Sequence, residues 1–307
     1  MHWIKRGLVY APDASLPWAV QGFHTPVPVL MPAGFIRVYA GFRDGQGVSR
    51  IGFIDLDADN PLKVLGVSQR PALDLGRPGA FDDNGVILGD LIWLGDRLRM
   101  YYVGFQLVAK AKFLAFAGVA ESGDGGESFT RLSAAPVLDR ADEGLFFRAI
   151  HSVRVENGRF RVWYGAGSTF ETIDGTPFSH YTVFSSESAD GLSFPRQGRQ
   201  CLSHQGDEYR IGRPRIWRRG PSRLGLFYTV GTRRKTYLPG YAESQDDGLT
   251  WHRMDEQIGI APGPEDWDSQ ALSYPAILET PKATWMVYNG NGMGATGFGL
   301  AELDREG

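Results

Sequence analysis

Residues 98–104, LRMYYVG, belong to a pattern that occurs five times in this chain of 307 residues and decides its fold. Each copy is a short aromatic and β-branched run that ends in or beside a small residue. The copies are IRVYAGF from Ile36, LRMYYVG from Leu98, FRVWYGA from Phe160, LGLFYTV from Leu224 and TWMVYNG from Thr284. This nearly constant spacing is long enough for a unit of four short strands and is typical of a β-propeller blade.

The repeat therefore predicts an all-β fold, a five-bladed β-propeller that forms one domain over residues 1–307. The predicted blades cover about 20–75, 80–135, 143–200, 207–258 and 266–305. The fifth blade lacks residues for an outer strand, and the strand-like residues 3–10 have no blade of their own. We expect this N-terminal strand to close the last blade, because an unpaired sheet edge invites aggregation.

Three of the turns between strands share an aspartate pattern, which predicts tight hairpins. In such a turn the aspartate accepts backbone N–H bonds, glycine takes a left-handed conformation and the aromatic residue packs inward. These turns are SGDGGESF from Ser122, SADGLSF from Ser188 and SQDDGLTW from Ser244. Asp124, Asp190 and Asp246 are accordingly predicted to be structural.

Composition excludes several classes of function. The chain is 42% hydrophobic and 22% charged with a formal net charge of −3, so it can bury a large core and carries no basic field for nucleic acid. No apolar run approaches the length of a membrane-spanning helix, which argues against a membrane span. Cys201 is the only cysteine, and no signal peptide is recognisable, so a cytoplasmic location is expected. The oligomeric state stays open.

Charged residues recur at fixed distances before the repeated runs. Asp82, Glu208 and Asp268 each precede a run by the same interval, and His24, Arg148 and Arg213 precede one by a slightly shorter interval. Because the first strand of each blade lines the channel, this spacing predicts carboxylates above a tier of cations at one mouth. Asp83 neighbours Asp82, and alternation along a strand would turn only one of them to the channel. The alternative for DDNG is an ordinary turn.

Several stretches resemble a known superfamily. They are Arg43-Asp44, GAFDDNG from Gly79, EYRIGRP from Glu208, YAESQDDGLTW from Tyr241, Trp267-Asp268-Ser269, Tyr274-Pro275 and YNGNGMGATGFGLA from Tyr288. Together they resemble the five-bladed β-propeller glycosidases, the group around glycoside hydrolase families 43 and 32 and the family 130 phosphorylases. Within it, the chain looks like a branch associated with bacterial surface-polysaccharide gene clusters.

The resemblance implies a sugar-active site that uses acids. Glu208 would be the proton donor, Asp82 or Asp83 its partner, and Asp268 a third acid or a hydroxyl ligand. Glycoside hydrolysis needs such a pair, because the leaving oxygen is protonated while water or a carboxylate attacks the opposite face. His24 stands where family 43 has an aspartate on its first blade, so it could act as a base or bind substrate.

The substrate is expected to be a small molecule or oligosaccharide. Arg148 and Arg213, with His24 or His151 nearby, could hold a carboxylate or phosphate through forked hydrogen bonds, or else neutralise the acids in a buried network. The matched stretches add Arg43, Asp44 and Tyr274 to the binding residues. Asn289 and Asn291 could bind sugar hydroxyls or form turns. No cofactor or metal is expected, although a central ion near the histidines and Glu208 is a minor alternative.

These observations predict a glycoside hydrolase that acts on a bacterial sugar, which could be an acidic sugar, a sugar phosphate or a neutral sugar attacked by phosphate. A glycoside phosphorylase or a noncatalytic carbohydrate-binding propeller are the alternatives, and a sialidase-like enzyme or an interaction scaffold are further ones. Carboxyl separations of roughly 5 to 9.5 Å would favour an enzyme, and much larger ones would favour binding.

Overall fold

The computed structural model describes residues 1–234, 237–264 and 267–304, and nearly all regular structure in these ranges is β-strand. The strands are β1 (Trp3–Tyr10); β2 (Gln21–Leu30), β3 (Ile36–Arg43), β4 (Ser49–Leu56) and β5 (Val64–Val67); β6 (Val86–Leu94), β7 (Arg97–Gln106), β8 (Leu114–Ser122) and β9 (Thr130–Arg131); β10 (Phe147–Glu156), β11 (Arg159–Ile173), β12 (Thr176–Ser188) and β13 (Arg199–Gln200); β14 (Glu208–Arg218), β15 (Leu224–Thr232), β16 (Tyr237–Ser244) and β17 (His252–Arg253); β18 (Ser273–Glu279), β19 (Thr284–Asn289) and β20 (Phe298–Leu303). A 3-10 turn spans Asp255–Gln257, and a short helical segment, α1, spans Asn291–Gly294. The predicted all-β class is confirmed. No helix within the described ranges is long and apolar enough to cross a membrane.

The strands form antiparallel units in chain order, and each repeated run is the second strand of its unit, namely β3, β7, β11, β15 or β19. The last unit contains β18, β19 and β20. Its fourth strand is β1, which pairs antiparallel with β20 so that Trp3 lies opposite Leu303. The prediction that the N-terminal strand completes the last unit is therefore confirmed.

Strand pairing joins only some of these units into a common sheet. Parallel pairing of β8 with β10 and of β12 with β14 merges the second, third and fourth units into one twelve-stranded sheet. The first and last units are separate four-stranded sheets. Within the described residues, no single sheet runs through all five units, so the blade count stays a prediction.

Hydrophobic packing connects every unit to the next. Each neighbouring pair shares one buried apolar cluster, represented in order by Tyr39 with Leu98, Tyr101 with Phe160, Val183 with Tyr228, Trp217 with Tyr288, and Phe298 with Phe23. The last of these contacts joins the final unit to the first through stacked rings 4.5 Å apart. Burial of such large side chains contributes roughly 1.5–3 kcal/mol each. Shared cores thus connect the units in chain order and the last unit to the first, and the first strands of neighbouring units contact one another.

An irregularity in register interrupts the first strand of every unit at the same depth. The ladder shifts around positions 25, 89, 151, 213 and 274, so the irregularity recurs with the period of the sequence repeat. A bulge of this kind bends the strand and re-aims a side chain. We call Thr25, Gly89, His151, Arg213 and Tyr274 the bulge tier. Glycine is required at one of these positions, because a Cβ on Gly89 would lie 2.3 Å from the Ile150 carbonyl oxygen.

The three predicted aspartate turns form as expected. In the first, Asp124 accepts from the Ser122 hydroxyl at 2.6 Å and from two backbone N–H groups at 3.1 Å. These hydrogen bonds hold the pKa of Asp124 down at about 2 although partial burial opposes them. Asp190 and Asp246 have the same pattern of contacts.

Candidate ligand-binding site

A cavity of about 330 Å³ opens beside the bulge tier. Thr25, Arg213 and Tyr274 of that tier line it, together with Met293 from the segment before β20. These four side chains come from the first, fourth and last units, which are distant in sequence. Convergence of bulged inner strands on one concave site is the usual setting for a ligand pocket in such folds.

The backbone of these four residues is strained. Thr25, Arg213, Tyr274 and Met293 have φ values of 57–58°, in the left-handed region that favours glycine. The first three are each followed directly by proline, which restricts them further. Such conformations cost on the order of 1–3 kcal/mol each and concentrate at functional sites. Their clustering around one cavity marks it as the candidate site.

The charge of the cavity wall is positive. Arg43, Lys112 and Arg213 line it, and no carboxylate from the described ranges does. Arg213 donates to the Leu88 carbonyl oxygen at 2.8 Å, and its Nη1 lies 3.2 Å from Nδ1 of His151. Burial lowers the pKa of Arg213 to about 10, so the guanidinium is still charged at neutral pH. An anion is the complementary ligand for this wall.

Both predicted histidines are buried and neutral. Burial, with a further contribution from Arg43, lowers the pKa of His24 to about 4, and burial and Arg213 lower the pKa of His151 well below its usual range. Nδ1 of His24 lies 2.6 Å from the Met293 carbonyl oxygen, so this nitrogen carries the proton, and Nε2 has no hydrogen-bond partner among the residues that the structure describes. Nδ1 of His151 accepts from Arg213, which fixes the opposite tautomer.

The predicted acids lie elsewhere. Asp82 is fully buried, accepts from Arg131 Nε at 2.6 Å and from the Tyr102 hydroxyl at 3.0 Å. Asp268 is also fully buried, accepts from Lys5 Nζ at 2.6 Å and from the Tyr288 hydroxyl at 3.1 Å. In each case a cation on the outermost strand of the unit and a tyrosine on the second strand hold the carboxylate.

Glu208 belongs to a related cluster. Its two carboxylate oxygens accept from Arg253 at 2.7 and 2.8 Å, and the Arg253 guanidinium lies 5.5 Å from the Tyr228 ring centroid. Arg253 again comes from an outermost strand, β17. We call these three arrangements the ion-pair clusters. Asp82, Glu208 and Asp268 therefore occupy equivalent positions in their units, as the spacing predicts. None of the three carboxylates lines the cavity, and their ion pairs favour a role in stabilising the fold.

Asp83 differs from Asp82 in its contacts, although neither residue lies in a strand. Both precede β6 in a turn, where Asp83 accepts from the Gly79 N–H at 2.8 Å. The expectation that strand alternation turns one of them to the channel was therefore wrong.

The remaining predicted residues divide into two groups. His24, Arg43, Arg213 and Tyr274 line the cavity, with His151 directly behind Arg213. The others are engaged elsewhere: Asp44 with Arg50 and its own turn, Arg148 with Glu143, Asn289 with the backbone of Phe23 and Thr25, and Asn291 with the N–H groups of Gln270 and Ala271. Arg148 precedes His151, the bulge-tier residue of its unit, on the same strand.

Sequence reasoning missed Thr25 and Lys112 on the wall. For Thr25 a signal was present, because the dipeptides Thr25-Pro26, Arg213-Pro214 and Tyr274-Pro275 occupy equivalent places in three repeats. Lys112 lies between β7 and β8, where the sequence gives no comparable signal. No cluster of three metal-ligating side chains occurs within residues 1–234, 237–264 and 267–304.

Comparison with known proteins supplies relatives and a fold. No family model matches the chain. It is 32% identical over 305 residues to the uncharacterized protein Rv1502 of Mycobacterium tuberculosis, with 99% of this chain and 100% of that protein covered, and equally to the protein MT1551 of another strain.

Three solved structures represent the fold. One is a glycoside hydrolase with 17% identity and a TM-score of 0.76 over 97% of this chain and 91% of that one. A thermostable family-43 glycoside hydrolase has 12% identity and a TM-score of 0.68 over 96% and 92%. The third comes from the GH130 family, described as mannoside phosphorylases that include hydrolases of β-1,2 mannosidic linkages in Candida mannan; it has 15% identity and a TM-score of 0.69 over 99% and 94%. At these identities the likeness shows the fold alone.

Proposed function

The chain belongs to the family of the uncharacterized protein Rv1502 of Mycobacterium tuberculosis, and we propose that it is a carbohydrate-active protein whose cavity binds an anionic sugar. By anionic sugar we mean a sugar acid or a sugar phosphate. The five units are taken as the blades of one propeller, the architecture of the solved glycoside hydrolases that share this fold. The observation that carries the proposal is that Arg213, a largely buried arginine, lines the cavity. Among the described residues, the cavity wall has three cations and no carboxylate.

The physical argument concerns charge compensation. Burying an unpaired charge is costly, so a buried guanidinium usually has a carboxylate beside it. Arg213 has instead a carbonyl oxygen, a neutral histidine and the Tyr274 ring, 5.5 Å from its guanidinium carbon. A carboxylate or phosphate on the ligand would supply the missing charge through forked hydrogen bonds, which arginine forms better than lysine.

We further propose that the protein cleaves or transfers a glycosidic bond next to this group. The fold supports the reaction, because solved structures that match nearly the whole chain are glycoside hydrolases. The family resemblance implies Glu208 as the proton donor, Asp82 or Asp83 as its partner, and Asp268 as a third acid or a hydroxyl ligand. Their ion pairs and turn contacts favour structural roles.

A second candidate is a noncatalytic carbohydrate-binding propeller. It is favoured by the lack of a carboxylate pair on the described cavity wall, because such a pair is what the common glycosidase mechanism requires. The two candidates share the anionic ligand and differ in whether a product forms.

Calorimetric titration tests the binding proposal. We expect glucuronate or glucose 6-phosphate to bind where glucose does not, and Arg213→Gln to weaken binding about 10- to 100-fold, since a charged hydrogen bond contributes roughly 1.5–3 kcal/mol. Arg196→Gln, at an exposed position off the wall, is the matched control. Equal binding of glucose, or full affinity in Arg213→Gln, would contradict the proposal.

Product analysis separates the two candidates. Acidic oligosaccharides incubated with and without inorganic phosphate would be examined by mass spectrometry. Release of shorter products by the wild type but not by Arg213→Gln supports the enzyme, and a phosphorylated product identifies a phosphorylase. Tight binding with no product from any bound ligand supports the noncatalytic alternative.

A further inference from the structure

Two arginines differ from the other arginines of the described ranges that are not exposed, because they have no carboxylate beside them. Among arginines of the described ranges that are not exposed, every one except Arg210 and Arg213 has a carboxylate within 4.0 Å. The paired ones are Arg37, Arg50, Arg99, Arg131, Arg148, Arg154, Arg161, Arg215, Arg218 and Arg253. The buried Arg215 is a close comparison, because it lies on the same strand and pairs with Asp90 at 2.7 Å. Lack of an acid partner within the described part of the chain is therefore a specific property of Arg210 and Arg213.

Arg210 lines a second cavity, of about 350 Å³. Its guanidinium carbon lies 4.5 Å from the Tyr237 ring centroid and 5.0 Å from that of Tyr209, and its buried Nε has no hydrogen-bond partner in the described ranges. Phe178 adds a third aromatic ring to the wall. Aromatic faces of this kind stack on sugar or base rings, and the guanidinium provides a donor for an anion.

The two cavities are neighbours. Met293 lines both of them, and the rings of Tyr237 in the second and Tyr274 in the first are in edge contact, with centroids 5.6 Å apart. Met293 is 39% exposed, so its side chain stands between two open spaces. The two cavities therefore adjoin at Met293.

The bulge in β14 explains how Arg210 and Arg213 of one strand serve adjoining cavities. Side chains at positions i and i+3 of a regular strand point to opposite faces. The register is regular from Arg210 to Gly212 and shifts between Gly212 and Arg215, so Arg213 itself lies in the bulge. An extra residue in a strand restores the same face to a side chain that alternation would have turned away.

From this arrangement we infer that the second cavity is a second anion subsite, and that the ligand carries two anionic groups, one bound by Arg213 and the other by Arg210 across Met293. The inference rests on the proposed function for its first group and goes beyond it in the second. Two sources have this chemistry, an oligosaccharide with acidic groups on two sugars and a sugar joined to a diphosphate.

Matched ligands with one and two anionic groups test the inference by calorimetry. Galacturonate is compared with digalacturonate, and glucose 1-phosphate with UDP-glucose, on the wild type, Arg210→Gln, Arg210→Lys and Arg213→Gln. Arg210→Gln should weaken the larger ligand of the bound pair about tenfold and leave the smaller one within twofold, whereas Arg213→Gln should weaken both. Arg210→Lys, which keeps the charge, should recover part of the loss, and thermal unfolding confirms that each variant is folded.

Crystals soaked in selenate give an independent readout that needs no knowledge of the sugar. Anomalous peaks within hydrogen-bond distance of both arginines support the two-subsite ligand. A peak at Arg213 alone, or equal effects of Arg210→Gln on small and large ligands, overturns the second subsite and leaves the proposed function intact. A peak at Arg210 alone removes the first anion site, and peaks at neither arginine overturn both proposals.

Discussion

Replacing Glu208 by glutamine decides between two roles for this residue. The family resemblance implies that Glu208 is the proton donor of the reaction, whereas in the structure it forms an ion pair with Arg253. Its carboxylate accepts from Arg253 at 2.7 and 2.8 Å and from the Gln205 N–H at 2.8 Å. The two side chains are only 11% and 10% exposed. Glutamine has nearly the same shape but turns one acceptor into a donor that faces the guanidinium.

The expected cost follows from these contacts. Breaking a buried ion pair by removing one partner costs about 3–5 kcal/mol when the other charge is left alone. Arg253 is not left alone, because Asp255 still accepts from it at 2.6 Å. We therefore expect Glu208→Gln to lower the free energy of unfolding by about 1–2 kcal/mol. For a chain of 307 residues that shift corresponds to a fall in Tm of roughly 1.5–3 °C.

Thermal unfolding and ligand titration are the assays. The variant should unfold earlier, bind glucuronate or glucose 6-phosphate within twofold of the wild type, and keep any turnover per folded molecule. Asp90→Asn is the matched control, since it disturbs the similarly buried ion pair with Arg215 at 2.7 Å and is not among the candidate catalytic residues. An unchanged Tm together with a loss of turnover of about 100-fold or more would refute the structural role, because that is the size of effect expected for a general acid.

Three further outcomes are expected. His24 has a folded pKa of about 4 against 6.5 when unfolded, so stability should be full above pH 6.5 and fall by roughly 3 kcal/mol as pH drops to 4; urea unfolding across this range should give a flatter profile for His24→Asn. Asn289→Ala should lower the free energy of unfolding by about 3–5 kcal/mol, measured by chemical denaturation. The substitution leaves buried backbone groups of Thr25, Phe23 and Gly297 without the hydrogen bonds from Asn289, two of which join the last unit to the first. Ser244→Ala should cost about 1–2 kcal/mol by the same measurement, since its hydroxyl accepts from the Gly248 N–H at 2.7 Å inside an aspartate turn.

The fold was predictable because its signals are local and repeated. Each second strand carries its own run of β-forming residues, and the aspartate turns need only residues near in sequence. The role of residues 3–10 followed from counting strands in the last unit. Sheet connectivity did not follow, because the parallel pairings between units involve only one or two residue pairs without a sequence pattern of their own, such as Tyr181 with Arg210.

The site was harder to predict because the sequence distance from the second strand of a unit does not fix where along the first strand a residue lies. The position shared by Asp82, Glu208 and Asp268 is equivalent in three units, but it lies before or at the first residue of the inner strand. The bulge tier lies further along the chain in each of these units. Insertion of a bulge residue changes which side chains face inward, and no alternation rule anticipates it. Counting residues from the second strand correctly identified Arg213, which lies at the bulge of the fourth unit. In the third unit the same count selected Arg148, although the residue at the bulge is His151.

Charge distribution has a consequence for how an anion would reach this site. The chain carries a net charge of −3, and its other half-buried and buried arginines in the described ranges, Arg210 apart, are neutralised by carboxylates. Long-range attraction of an anion is therefore weak, and the attraction is confined to the short distances at which Arg43, Lys112 and Arg213 act together. Interactions of the largely buried Arg213 are screened by salt much less than those of Arg43 and Lys112, which are exposed. The contribution of Arg213 to the affinity for an anionic sugar should consequently change little between low and physiological ionic strength, whereas the contributions of Arg43 and Lys112 should weaken. The factor by which Arg213→Gln weakens binding should therefore be nearly the same at both ionic strengths.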